Sequence, residues 1–182
     1  RVIKMKVCAI MSNGFEETEA ITVIDLLRRA DITVDLFNIS GSEIESSHGL
    51  SLVNFKPLKS IVKEDYDLMF IPGGKRNYDN LLSDKTVNEL IIYFITNKKL
   101  AAICVAPSLI GELGLLKGKK YTCYPGFNSE KYEGTYLNQY YVTDGNLYTA
   151  RSLAASIEFG LLLVAALKGE QAKKELMEEI VY

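Results

Sequence analysis

The chain has 182 residues, of which 48% are apolar and 24% are charged, and its formal net charge is −2. These values predict one folded domain over residues 1–182 and exclude a disordered or collagen-like chain, and the small, scattered charge gives no footprint for nucleic acid. Because no stretch has the roughly 20 consecutive apolar residues of a membrane span and the N-terminus lacks a signal peptide, we expect a cytoplasmic protein with no membrane partner.

Strands and helices alternate along the N-terminal part of the chain. Continuous apolar runs predict strands, and apolar residues at helical spacing predict helices. In chain order, the predicted elements are the strand Lys6 to Met11, the helix Glu16 to Ala30, the strands Thr33 to Asn38 and Leu68 to Pro72, the helix Asp84 to Asn97 and the strand Leu100 to Ile103. This alternation is typical of a mostly parallel sheet with helices on both faces.

Four other segments indicate further elements, namely two hairpin features and two helices. Glu43 to Phe55 has the pattern of an inserted short strand or hairpin, and Asp144-Gly145 predicts the turn of an antiparallel strand pair near one sheet edge. Ser156 to Leu167 is apolar enough to be a core helix, whereas Glu170 to Tyr182 predicts an amphipathic terminal helix with a solvated face.

The run from Ala101 to Pro107 ends an apolar strand on Cys104 and starts a helix almost at once. A helix N-terminus favours negative charge, so this position predicts a reactive cysteine whose thiolate is accessible near neutral pH. The alternative is that Cys104 is a small buried hydrophobic residue, as we expect for Cys8 in the first strand. With three widely separated cysteines and one histidine, neither a disulfide framework nor a metal site is expected.

Three breaks between elements fall at the carboxyl ends of predicted strands, where open parallel sheets bind ligands. They are Ser12 to Glu19, Pro72-Gly73-Gly74 and Cys104. Glu16 and Glu17 can serve merely to complement the helix dipole. Glu19 lies about one turn into the helix beside apolar positions, so we expect an inward-pointing, protonated carboxyl that hydrogen-bonds the Cys104 thiolate or acts as an acid and base.

The glycine pair has two interpretations. Gly73 and Gly74 form either an ordinary tight turn or a place where backbone amides approach a reacting oxyanion.

The order of these motifs resembles the DJ-1/ThiJ/PfpI superfamily, and specifically its DJ-1/ThiJ (YajL-like) branch. The resemblance covers nearly the whole chain. Its matching segments are Gly14 to Glu19, Asp25 to Ala30, Phe70 to Gly74, Ala101 to Pro107 and Ser156 to Phe159.

The resemblance implies a flavodoxin-like three-layer α/β sandwich that forms a homodimer and needs no cofactor. It also implies that Cys104 is the nucleophile, that Glu19 is its carboxyl partner, and that Gly73, Gly74 and the amide of Val105 line an anion pocket. Glutathione-independent glyoxalase and deglycase activities have been attributed to such proteins, as have chaperone and oxidative-stress roles.

The chain departs from the family pattern at two positions. Tyr124 stands where many relatives have a histidine near the cysteine, and tyrosine is a poor base near pH 7. Val105 follows the cysteine where relatives called proteases have histidine, which argues against a Cys/His protease. The single histidine, His48, is expected at the surface or in a dimer contact.

The tyrosine-rich segment leaves two interpretations open. Its aromatic side chains and one cysteine either line a pocket or dimer surface, or are half-buried packing; they are Tyr121, Cys123, Tyr132, Tyr136, Tyr140 and Tyr141.

Two functions compete. In the first, the Cys104 thiolate adds to the aldehyde of a small dicarbonyl such as methylglyoxal, Glu19 moves a proton between the two carbons, and lactate is released. In the second, the protein is a non-catalytic oxidative-stress sensor or chaperone that responds to oxidation of Cys104.

Overall fold

The computed structural model of the chain describes residues 4–182. In chain order, the strands are β1 (Lys6–Met11), β2 (Thr33–Asn38), β3 (Ile44–Glu45), β4 (Ser51–Leu52), β5 (Lys56–Pro57), β6 (Leu68–Ile71), β7 (Lys99–Ile103), β8 (Lys120–Tyr121), β9 (Thr135–Tyr136), β10 (Tyr141–Asp144) and β11 (Leu147–Ala150). The helices are α1 (Glu17–Arg29), α2 (Lys75–Leu82), α3 (Lys85–Asn97), α4 (Pro107–Glu112), α5 (Ser156–Lys168) and α6 (Glu170–Glu179).

Within the described residues, seven strands form the central sheet in the order β10-β11-β7-β6-β1-β2-β5. Every neighbouring pair is parallel except β10 and β11, which form an antiparallel hairpin at one edge. Helices flank this sheet, so the predicted flavodoxin-like sandwich with a short antiparallel hairpin is confirmed.

The order of the strands decides where the loops that carry the candidate site residues meet. The chain leaves β1 toward β2 on one side, whereas β6 and β7 lie on the other side of β1. The loops that follow β1, β6 and β7 therefore emerge together at the carboxyl edge of the sheet. This is the switch point at which parallel α/β sheets bind ligands.

Helix α1 shows how sequence pattern and burial agree. Its buried residues Ala20, Val23, Ile24 and Leu27 recur at helical spacing and face the core, and α1 packs against α5, which in turn packs against α6. The helix begins after Glu16, whose side chain accepts a hydrogen bond from the backbone N–H of Glu19.

Most predicted elements are confirmed within one or two residues of their ends, α6 within three. Strand β6 ends at Ile71 rather than Pro72, because proline has no N–H to donate to a neighbouring strand. The inserted segment contains the antiparallel hairpin β3–β4, which lies against the loop after β1 through the Gly14 N–H to Glu45 carbonyl bond of 2.7 Å. That residues 1–182 form one domain stays a prediction.

Helix α2 was not predicted. Its sequence is mostly polar, and one of its three buried residues is Asn77, so no apolar stripe marks it. The two-residue strands β5, β8 and β9 were also missed, because two residues are too few to show a period.

Among the helices of residues 4–182, none combines the length and the apolar character that crossing a membrane requires.

Candidate active site

A buried asparagine ties together two of the loops at the carboxyl edge of the sheet. Asn77 Oδ1 accepts a hydrogen bond of 2.7 Å from the backbone N–H of Ser12, and its Nδ2 donates to the carbonyl of Pro72 at 3.0 Å. The loop after β1 is thereby fixed relative to the loop after β6. Sequence reasoning missed this residue, because a lone asparagine in a polar segment carries no signal of burial.

Cys104 occupies the turn between β7 and α4 in a left-handed backbone conformation, with φ of 65°. This conformation costs an ordinary residue roughly 1–2 kcal/mol. Two hydrogen bonds hold it: the Cys104 N–H donates to the Ala150 carbonyl at 2.9 Å, and the Tyr124 N–H donates to the Cys104 carbonyl at 2.8 Å. The residue as a whole is 8% exposed and is therefore largely buried.

Glu19 points inward from α1, as the sequence predicts, and is only 1% exposed. Its Oε2 accepts a hydrogen bond of 2.9 Å from the Gly73 N–H. Hydrogen bonding with the Cys104 side chain and with the Leu153 backbone lowers the pKa of this carboxyl. The carboxyl and the thiol, which lie 85 positions apart in the sequence (104 − 19), are therefore in direct contact.

Burial, together with the nearby charge of Glu16, raises the pKa of the Glu19 carboxyl to about 7, against the opposing effects of its hydrogen bonds to Cys104 and Gly73. Near neutral pH, the group is therefore divided between its acid and its carboxylate. A carboxyl with this pKa is suited to proton transfer.

The thiol behaves differently from the sequence prediction. Burial, followed by the charge of Glu19 and its hydrogen bond, raises the pKa of Cys104, whereas the amides of Val105 and Gly74 lower it by a smaller amount. The expected stabilisation of the thiolate by the helix N-terminus is thus outweighed, since α4 has only six residues and the thiol is buried. The prediction of an accessible thiolate is wrong for the state in which Glu19 is ionised.

The two groups titrate as a coupled pair that holds one negative charge more readily than two. When Glu19 is protonated, its charge no longer opposes the thiolate and its O–H can donate to the sulfur. Protonation of Glu19 and ionisation of Cys104 therefore favour each other.

The raised pKa of Glu19 predicts a pH-dependent stability. An acid whose pKa rises from about 4.3 when unfolded to about 7 when folded stabilises the fold at low pH, and this contribution is lost as pH rises toward 7. We expect the free energy of unfolding of the wild type, minus that of Glu19→Gln, to fall by about 3 kcal/mol between about pH 4 and pH 7. Urea unfolding across this range measures it, and a difference that stays constant with pH would contradict the assignment.

The two glycines have different positions in the site. The Gly73 amide is bonded to Glu19, whereas the Gly74 amide faces the Cys104 sulfur together with the amide of Val105. A Cβ atom at Gly73 would contact the Glu19 carboxylate and lie 2.5 Å from Cys104 Cβ. At Gly74, with φ of 101°, it would lie 2.8 Å from the Glu16 nitrogen.

Tyr124 lies beside Cys104 through its backbone and is 46% exposed. The other tyrosines of this segment divide into packing and surface positions. Tyr121 and Tyr132 are buried, Tyr136 packs its ring near that of Tyr121, and Tyr140 and Tyr141 are exposed.

The remaining candidates lie outside the Cys104–Glu19 contact. The cysteines Cys8 and Cys123 are fully buried. His48 is largely exposed, and its Nδ1 pairs with Glu17 Oε1 at 2.9 Å. Glu16, Glu17 and His48 are the one group in residues 4–182 with three possible metal-ligand atoms within 4.8 Å of one another, but Glu16 caps α1 and Glu17 pairs with His48.

Two relatives and one solved structure are similar to this chain over most of its length. The chain is 36% identical to protein DJ-1 homolog B of Arabidopsis thaliana over 91% of this chain, and it spans 39% of the length of that relative. It is 28% identical to a protein named as a deglycase from Pyrococcus horikoshii, over 81% of this chain and 90% of the relative. The crystal structure of a cysteine-to-alanine variant of a DJ-1 superfamily protein from Salmonella typhimurium superposes with a TM-score of 0.92 at 31% identity, over 98% of each chain.

The model of the DJ-1/PfpI family matches residues 5–166. This match runs from β1 into α5 and includes every loop that meets at the carboxyl edge of the sheet. The contact between the α1 carboxyl and the strained cysteine is therefore found within the matched region, and the chain belongs to the DJ-1/PfpI family.

Proposed function

We propose that this chain is a cysteine-dependent enzyme that acts on small reactive dicarbonyls, as a glutathione-independent glyoxalase or a deglycase. The observation that supports it best is the hydrogen-bonded pair of Cys104 with a buried carboxyl whose pKa is about 7. The deglycase name of the Pyrococcus relative is consistent with this class of substrate. No organic cofactor or metal is needed for the steps that follow.

The reaction begins with the pair in its reactive form, in which Cys104 is a thiolate and Glu19 carries the proton. The sulfur attacks the aldehyde carbon of methylglyoxal, a carbon–sulfur bond forms, and the carbonyl electrons move to oxygen. The oxygen takes the proton of Glu19, which leaves a neutral hemithioacetal and a Glu19 carboxylate. The amides of Gly74 and Val105, which face the sulfur, are placed to stabilise negative charge next to it.

The second half of the reaction uses Glu19 as a base and then as an acid. Its carboxylate takes the proton from the carbon bonded to sulfur and returns it to the adjacent carbon, while the hydroxyl proton moves to the second oxygen. The product is a thioester of lactate. Water cleaves the carbon–sulfur bond and releases lactate, so that the sum is methylglyoxal plus water to lactic acid.

Lactate formation from methylglyoxal without glutathione tests this proposal. We expect activity in the wild type and none above buffer in Cys104→Ser, because the serine hydroxyl is a far weaker nucleophile at neutral pH. Cys123→Ser is the matched control, since this fully buried cysteine is not among the groups that shift the pKa of Glu19 or Cys104, and its replacement should leave turnover intact. If the wild type gives no more lactate than buffer, the proposed glyoxalase activity is contradicted.

A second candidate is a redox sensor or stress chaperone, which the exposure of the three cysteines favours. Cys104 is 8% exposed, whereas Cys8 and Cys123 are at 0%. Mild peroxide should therefore oxidise Cys104 first, and a protonated Glu19 can donate a hydrogen bond to the resulting sulfinate. This function requires Cys104 but not turnover, so loss of lactate formation in Glu19→Gln separates the enzyme from the sensor.

We also propose that two copies of this chain associate. A groove of about 710 Å³ between α1, α5 and the C-terminal residues contains exposed apolar side chains, among them Ile21, Ile157 and Val181. Covering such a surface with a second copy would remove apolar area from water.

A further inference from the structure

Three aromatic rings form a continuous cluster on segments whose backbone is hydrogen-bonded to Cys104 and Gly74. The rings of Tyr78 and Phe127 have centroids 6.1 Å apart at 80°, and those of Phe127 and Tyr124 are 6.3 Å apart at 75°. Both are edge-to-face contacts, the arrangement in which the positive edge of one ring meets the negative face of the next. We call Tyr78, Phe127 and Tyr124 the aromatic shelf.

Hydrogen bonds attach both ends of the shelf to the backbone that surrounds the sulfur. At one end, the Tyr124 N–H donates to the Cys104 carbonyl at 2.8 Å. At the other end, the Tyr78 N–H donates to the carbonyl of Gly74, whose own amide faces the Cys104 sulfur. The shelf therefore spans the two segments that flank the thiol.

The middle of the shelf is also fixed. Ser108 Oγ, from the first turn of α4, donates to the Phe127 carbonyl at 2.8 Å, and the Phe127 N–H closes a turn onto the Tyr124 carbonyl at 3.0 Å. Because this loop is held at several points, little ordering is needed when a ligand contacts it.

Exposure increases along the shelf. Tyr78 is 9% exposed, Phe127 is half-buried, and Tyr124 is 46% exposed. Tyr124 thus carries a large aromatic side chain that is supported at its edge and open to solvent, on a residue whose backbone is bonded to that of the nucleophile. Such a side chain offers a flat apolar surface that a substituent on the reacting carbonyl can contact.

We propose that the aromatic shelf is a subsite for an aromatic substituent, so that the preferred substrates are aryl-substituted dicarbonyls such as phenylglyoxal rather than methylglyoxal. The inference rests on the proposed function, because it names the substrate class of that same site. Contact between aromatic rings is worth about 0.5–1.5 kcal/mol beyond the burial of area, which corresponds to about a two- to tenfold preference.

The first test compares kcat/KM for phenylglyoxal and methylglyoxal in three variants. Tyr124→Leu should lower the ratio of the two values by about two- to tenfold, because it keeps an apolar side chain but removes the ring. Tyr124→Phe should keep the wild-type ratio. Tyr140→Leu, at a tyrosine that is 49% exposed, is the matched control and should also keep it. An unchanged ratio in Tyr124→Leu, or an equal loss in Tyr124→Phe, would overturn the subsite.

The second test does not need turnover. The rate at which Cys104 is alkylated by N-phenylmaleimide, relative to N-ethylmaleimide, is followed by mass spectrometry in the same variants. The ratio of the two rates should fall in Tyr124→Leu and should keep its wild-type value in Tyr124→Phe and Tyr140→Leu. If no lactate or mandelate forms but this ratio falls, the proposed function fails and the subsite stands; if turnover occurs and both ratios are unchanged, the subsite fails and the function stands.

Discussion

Replacing Glu19 by glutamine is expected to lower lactate formation from methylglyoxal by a factor of about 10²–10⁴, the usual contribution of a positioned acid or base. The amide has nearly the same shape, so its oxygen can still accept the hydrogen bond from the Gly73 N–H. It has no ionisable proton, however, and cannot move one between the two carbons. Turnover should therefore be lost while the fold is kept.

The same variant should make the thiol more reactive. The negative charge of Glu19 raises the pKa of Cys104, and a neutral amide removes that charge and offers an N–H donor to the sulfur. We expect faster alkylation of Cys104 by iodoacetamide near pH 7.5 together with slower lactate formation. Glu17→Gln is the control, because this residue of α1 pairs with His48 instead. Faster alkylation with wild-type turnover would show that Glu19 sets the thiol pKa and transfers no proton.

Gly73→Ala is expected to damage both stability and activity. The added methyl group would contact the Glu19 carboxylate, and its carbon would lie 2.5 Å from Cys104 Cβ and 3.0 Å from the sulfur. Such overpacking costs about 1–3 kcal/mol and forces the two groups apart. Because small displacements of reacting groups can cost about 100-fold in rate, we expect turnover to fall by at least that factor.

The steric origin of this loss can be separated from a backbone effect. Gly73 does not have a positive φ, so alanine suits its backbone, and only the crowding differs. Gly145→Ala provides the converse control, because φ is 59° there but no atom lies within 4 Å of the new Cβ. Chemical unfolding and lactate assays on both variants should show lost turnover only in Gly73→Ala. Wild-type turnover in that variant would mean that the Cys104–Glu19 contact is not required.

The regular elements and the identity of the central pair were predictable from the sequence. The apolar runs of β1, β6 and β7 mark buried strands, and the motifs at their ends carry the family resemblance. Because the carboxyl ends of neighbouring parallel strands meet at one edge, the order of the motifs indicated which side chains come together.

The ionisation of the pair was not predictable in the same way. The expected lowering of the Cys104 pKa followed from a helix N-terminus, which is a local feature of the sequence. The opposing effects are burial and the charge of Glu19, and both depend on residues far away in the chain. Without the packed structure, the balance between these effects cannot be judged.

Polar residues with structural roles were hidden for a related reason. Asn77 connects two loops from within α2, whose mostly polar sequence gave no helical period.

The aromatic shelf joins Tyr78 to residues 46 and 49 positions later in the chain (124 − 78 and 127 − 78), and no local pattern reports such contacts.

At Cys104, the left-handed backbone makes conformational stability and chemical function compete at a single residue. Glycine adopts φ of 65° without the roughly 1–2 kcal/mol that a side chain costs there, so the residue best suited to the backbone is one that has no thiol. Replacement of Cys104 by glycine would therefore relieve the backbone strain, but it would also remove the nucleophile. Persistence of cysteine at this turn through generations of mutational drift would be a mark of selection for its sulfur.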